Sequence, residues 1–222
     1  MKKLFYVNFW VVLAFFTLCN PKIYAFELED EEFFDFSEIE DVLQTVSSVS
    51  NYPDTNSSHI IAIDRQSKRV LYEKDGYSET PMASTTKILT AIIAIETCNL
   101  DEKVSISKEA TSVSGSTLGI VSNTQMSMKD LLYGLMLCSG NDCAIAIAEH
   151  IGGSIQGFSS IMNTKAKLLG LKNSNFTSPH GLDDENHYTT AYELALITDY
   201  ALQNETFRKI VGTKQSSVAI RK

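Results

Sequence analysis

The 222-residue chain carries 19 basic and 27 acidic side chains, a formal net charge of −8. That balance excludes nucleic-acid binding, which needs a basic face. No run of His or Cys has metal-ligand spacing, so the sequence predicts neither a metal nor any other cofactor.

Met1-Lys2-Lys3 precedes sixteen largely apolar residues, Leu4 to Cys19. That is short for a spanning helix and normal for the core of a signal peptide. Asn20-Pro21 breaks the run, and cleavage is expected after Ala25. The competing reading is an uncleaved anchor. Both place the remainder outside the cytoplasm, at the cell wall or the outer face of the membrane, and leave a membrane-surface association open. Cleavage would remove three lysines and no acids, making the net charge −11. Nine acids then fall between Glu27 and Asp41 with no base among them, alongside Phe26, Phe33, Phe34 and Phe36. Residues 26–58 therefore read as an acidic leader and linker, either mobile or a short docking segment.

His59 to Asp64 and Arg69 to Tyr72 are rich in apolar residues and flank Arg65-Gln66-Ser67-Lys68, a hairpin signal. Helices are predicted near 84–97, 128–137, 142–152, 155–169 and 189–203, the last with a Thr cap and Glu193 behind it. Val104 and Ile106 alternate with polar residues, as in an extended segment. Residues 109–127 lack long periodicity and read as a loop. Cys98, Cys138 and Cys143 survive cleavage, an odd count that argues against a full disulfide framework. Cys138 and Cys143 either pair or stay free and half-buried.

Ser84-Thr85-Thr86-Lys87 opens the apolar run Ile88 to Ile95. Residues three apart share a helix face, so Ser84 and Lys87 lie side by side. A lysine held neutral there can take the serine proton. The pattern recurs at Ser105-Ile106-Ser107-Lys108, where an extended chain would point the two side chains to opposite faces. Ser139-Gly140-Asn141 lies between two apolar helices. Alone it reads as a helix–helix turn, with Gly140 at positive φ and Asn141 as the next cap. Together, the two motifs match two elements of the S-x-x-K, S-D-N, K-T-G signature, with Gly in place of Asp.

The stretch Pro81 to Ala91, the stretch Leu135 to Ala144, and Ser178-Pro179-His180-Gly181-Leu182 with His187 to Ala191 resemble the D-alanyl-D-alanine carboxypeptidases, low-molecular-weight penicillin-binding proteins. The similarity runs from about His59 to the end. It implies an α+β fold of the β-lactamase/transpeptidase type, a helical cluster packed on an antiparallel sheet, in a catalytic domain over 59–222. It also implies acyl transfer on peptidoglycan stem peptides ending in D-Ala-D-Ala, and acylation by β-lactam antibiotics. Ser84 would be the nucleophile, Lys87 the general base, Ser139 the proton relay and Asn141 a substrate-binding residue that also fixes Lys87.

Lys-Thr-Gly is absent, and Lys214-Gln215-Ser216 does not match it. The sequence is therefore expected to be the N-terminal portion of a longer protein, with the remaining strands downstream and no acylation by residues 1–222 alone. A class A-like β-lactamase would need a glutamate to activate the deacylating water. Glu185 and Glu193 lie in the relevant stretch without that family's pattern. A non-catalytic cell-wall-binding protein would not need the third motif. His180 and His187 invite a triad reading, against turn and capping roles around Gly181.

Overall fold

The expected hairpin forms as strands β1 (Ile60–Ile63) and β2 (Val70–Lys74), paired antiparallel with a bulge between Ala62 and Ile63. The computed structural model describes residues 55–182 and 184–217. The signal peptide and most of the leader and linker expected from the sequence lie outside them. Asp64 closes the hairpin turn, its Oδ1 accepting from the N–H and hydroxyl of Ser67 at 2.7 and 2.6 Å.

Helix α1 (Lys87–Thr97) follows a 3-10 turn at Ala83–Thr86. Its sequence is apolar almost all round, and such a helix belongs in the interior. Leu89, Ala91, Ile92, Ile93 and Ala94 are indeed buried. Around it pack α3 (Met128–Leu137), α4 (Asn141–Gly152), α5 (Ile155–Leu168), α6 (Ala191–Ala201) and α7 (Glu205–Val211). The caps follow local chemistry. The side chains of Ser127, Ser154, Thr190 and Asn204 accept the N–H of Asp130, Gly157, Glu193 and Phe207 respectively. Asp199 on α6 ties the hairpin down through Arg65 Nε (2.6 Å) and Lys68 Nζ (2.5 Å), and these cations lower its carboxyl pKa.

The segment expected to be a featureless loop contains structure. Ser107 caps a short helix α2 (Lys108–Thr111), and β4 (Gln125–Ser127) pairs antiparallel with β3 (Lys103–Ser105). Buried Val104 faces inward between exposed Lys103 and Ser105, which explains the extended pattern. Helix α7 was not expected either; seven residues give little periodicity. The described residues thus hold helices with two small antiparallel sheets, an α+β arrangement. Among them, no helix is long and apolar enough to cross a membrane.

Candidate active site

Two helix N-termini meet at one hydroxyl. Ser84 lies in the 3-10 turn before α1, and Ser139 lies two residues before α4. Lys87 Nζ sits 2.9 Å from Ser84 Oγ, and Ser139 Oγ donates to that same Oγ at 2.9 Å. Lys87 is only 2% exposed. Burial pulls its pKa from 10.5 down to about 8, because desolvation penalises the ammonium form. Its second partner is a backbone carbonyl, His180 O, at 2.9 Å. A backbone acceptor of this kind has no signature among residue identities.

The loop bearing His180 is fitted tightly to α1. Thr90 Oγ1 donates to Pro179 O at 2.7 Å. Gly181, at φ +82, lies so close that a Cβ there would come 1.9 Å from Ala83 O. The His187 Nδ1 accepts the Thr177 N–H at 3.0 Å, which leaves the proton on Nε2, 2.8 Å from Thr86 Oγ1. His180 Nδ1 accepts the Leu182 N–H at 3.1 Å, and burial with the Lys87 charge lowers its pKa to about 4. Both rings serve the loop that presents the carbonyl, the turn and capping roles rather than a triad.

Asn141 opens α4 and is buried, with Nδ2 donating to Ser114 O at 2.7 Å. It does not bond Lys87, whose amine is taken by Ser84 and His180. Asp142 extends the anchorage, its carboxylate accepting from the N–H groups of Leu118, Gly119 and Ile120 at 2.8–3.1 Å. An acid in a first helical turn is the sequence signal for that role. In the turn itself, Ser139 rather than Gly140 holds positive φ, at 54°, and Gly140 rather than Asn141 is the cap residue. Gly140 is needed for space: a Cβ would meet Asp142 Oδ1 at 2.8 Å and Cys143 Sγ at 3.1 Å. A cavity of about 300 Å³ is lined by Met82, Ala83, Gly181 and Leu182 together with Asp184, Glu185 and His187, and Ala83 is the residue before Ser84.

A family model for D-alanyl-D-alanine carboxypeptidases matches residues 45–222. The chain belongs to that family. The D-alanyl-D-alanine carboxypeptidase DacF of Bacillus subtilis is 38% identical over 158 residues, covering 69% of this chain and 41% of that protein. The D-alanyl-D-alanine carboxypeptidase of Streptomyces sp. strain K15 is 34% identical over 182 residues, covering 77% and 60%. Among solved structures, a mutant of the Streptomyces K15 DD-transpeptidase matches with a TM-score of 0.71 at 33% identity, over 73% of this chain and 67% of that one. Penicillin binding protein 5 from Haemophilus influenzae matches with a TM-score of 0.68 at 32% identity, over 72% and 49%. The chain thus spans about half the length of the curated relatives it matches.

Other residues of this carboxypeptidase-family chain fall outside the site's chemistry. Glu193 is buried and its carboxylate is fully used by the N–H groups of Lys172 and Asn173 and the hydroxyl of Ser174. Ser105 ends β3, and Lys108 begins α2 beyond the Ser107 cap. Cys138 and Cys143 are free rather than paired. They are not both half-buried as expected: Cys138 is exposed, while Cys143 is sealed and its thiol pKa pushed up by burial.

Proposed function

We propose that the protein is a serine-type D-Ala-D-Ala carboxypeptidase that trims the terminal D-alanine from peptidoglycan stem peptides. The observation that carries this reading is the single hydroxyl of Ser84 held between the buried amine of Lys87 and the hydroxyl of Ser139. Neutral Lys87 takes the proton as Ser84 Oγ attacks the carbonyl carbon between the two D-alanines. The Ser84 N–H contributes to an oxyanion site. Ser139 passes the proton to the leaving amine as the C–N bond breaks, and D-alanine departs. Water then attacks the acyl-enzyme ester and restores Ser84. Asn141, held by its bond to Ser114 O, would hydrogen-bond the substrate backbone. A β-lactam ring would open on the same serine and remain as the ester. The catalysis is proposed to occur outside the cytoplasm, after export directed by residues 1–25.

The β-lactamase alternative has less support: the matching family model and the curated relatives are carboxypeptidases, and of the two candidate glutamates Glu193 is committed to the 172–174 segment. Labelled penicillin applied to the native protein from its own cells tests the proposal. One label per chain is expected on Ser84, and Ser84→Ala should abolish it. Labelling that survives this substitution would overturn the assignment.

A further inference from the structure

At the end of α1 and α4 remote from Ser84, the fold gathers three metal-ligating groups that sequence spacing does not reveal. Cys98 is the C-cap of α1, His150 lies in the last turn of α4, and Glu102 lies in the turn leading to β3. One thiol, one carboxylate oxygen and one ring nitrogen from these residues all lie within 4.8 Å of one another. Tetrahedral zinc, with bonds of about 2.0–2.3 Å, sets its ligand atoms roughly 3.3–3.8 Å apart. Side-chain adjustments on the order of an ångström close that gap.

Three further observations point to a cation. Glu102 Oε1 is buried without a hydrogen bond of good geometry, and its polar neighbours are the other two members of the cluster, His150 Nε2 at 3.3 Å and the Cys98 thiol. A buried carboxylate oxygen so weakly satisfied is costly, and a metal ion shared by all three groups would satisfy it. Both helices present their C-terminal ends, where the macrodipole is negative and favours positive charge. The turn carrying Glu102 is braced, its N–H donating to Asn99 O at 3.1 Å and its carbonyl accepting from Met128 N at 3.0 Å. The His150 and Glu102 side chains are 31% and 35% exposed, so an ion can enter from solvent.

We propose that Cys98, Glu102 and His150 form a zinc site that clamps the C-terminal ends of α1 and α4. A thiolate, an imidazole and a carboxylate together suit zinc; magnesium and calcium prefer oxygen ligands alone. Three protein ligands leave the fourth position to water. Binding releases the Cys98 proton to solvent, takes His150 as the neutral ring and leaves every oxidation state unchanged. Without a cation, burial and the Glu102 carboxylate hold the thiol protonated, its pKa raised to about 11.

The two helices give the clamp its meaning. Lys87 precedes Cys98 by eleven residues, and Ser139 precedes His150 by the same number. Each interval is roughly 16 Å of helix. A metal at one end would therefore fix how the helix ends that carry Lys87 and Ser139 sit against each other, without touching the substrate.

The test uses native protein stripped with a chelator under reducing conditions. Cobalt(II) should bind one per chain and give a thiolate-to-cobalt charge-transfer band in the near ultraviolet, which zinc displaces. Zinc at a hundredfold excess over Kd should raise Tm by about 4 °C or more. Cys98→Ser should remove the band, His150→Ala should weaken cobalt and zinc binding at least tenfold, and Cys138→Ser should change neither. The band and the Tm shift are read on unsubstituted protein, so they do not depend on a variant folding. Absence of the band in that protein, or its loss with Cys138→Ser and not with Cys98→Ser, would overturn the proposal. Penicillin labelling plays no part in these readouts, so this site and the proposed carboxypeptidase chemistry stand or fall separately.

Discussion

At Ser84 the pattern Ser-x-x-Lys spans a 3-10 turn entering a buried helix; at Ser105 it spans the end of β3 and the cap of α2. The first places an amine 2.9 Å from a hydroxyl and strips it of water. The second leaves Ser105 and Lys108 both exposed on different elements. The same residues at the same spacing therefore have unlike chemistry. What separates them is continuous helical backbone through the motif, plus a loop that covers the amine and supplies a carbonyl.

The largest expected effect breaks the comparison at its base. Lys87→Arg keeps the charge but cannot act as a base. Penicillin acylation should fall by about 10²–10⁴-fold, while Lys108→Arg should leave it unchanged. A drop smaller than threefold at Lys87 would point to a purely electrostatic role. Next is the covering loop. Gly181→Ala would drive a Cβ into Ala83 O and force the 178–182 segment away from Lys87. A displacement near 1 Å can cost roughly 10²-fold, so labelling rates should drop to that extent.

A pH profile sharpens the contrast further. As the proposed general base, Lys87 would act only when neutral, so acylation should lose about tenfold per pH unit below the lysine's pKa of about 8 and level off above it. Stability carries the same sign. The unfolded lysine, at 10.5, binds its proton where the folded one has lost it. Between pH 8 and 10.5 stability should therefore rise with pH, and Lys87→Met should flatten the rise in denaturant midpoints. The smallest effect lies at the second motif. Ser107→Ala removes the α2 cap and should cost ~0.5–2 kcal/mol in chemical unfolding, with labelling rates untouched.

The sequence reveals the long helices because α1 and α3–α6 have enough residues to show a period, and α3, α5 and α6 also carry side-chain caps. It conceals α2, β4 and α7, whose three to seven residues are stabilised by neighbours rather than by pattern. The same division runs through the site. Ser84, Lys87 and Ser139 stand out because their side chains are the signal. The His180 carbonyl does not, since a backbone oxygen 93 residues away has no identity in a sequence. Asn141 was legible as a motif residue, but not its bond to Ser114 O. The glycine in Ser-Gly-Asn suggested positive φ there, whereas crowding by Asp142 and Cys143 explains why it has no side chain.

Ser139 adopts φ 54°, a left-handed conformation in which residues branched at Cβ are strained. Threonine would preserve the hydroxyl and strain the backbone; glycine would relax the backbone and lose the hydroxyl; asparagine would tolerate the backbone but present an amide. The peptide torsion thus acts as a filter on inheritance. Of the residues that carry an aliphatic hydroxyl, only serine passes it cheaply, so drift at this position faces a steep wall on the side that chemical similarity would call the gentlest.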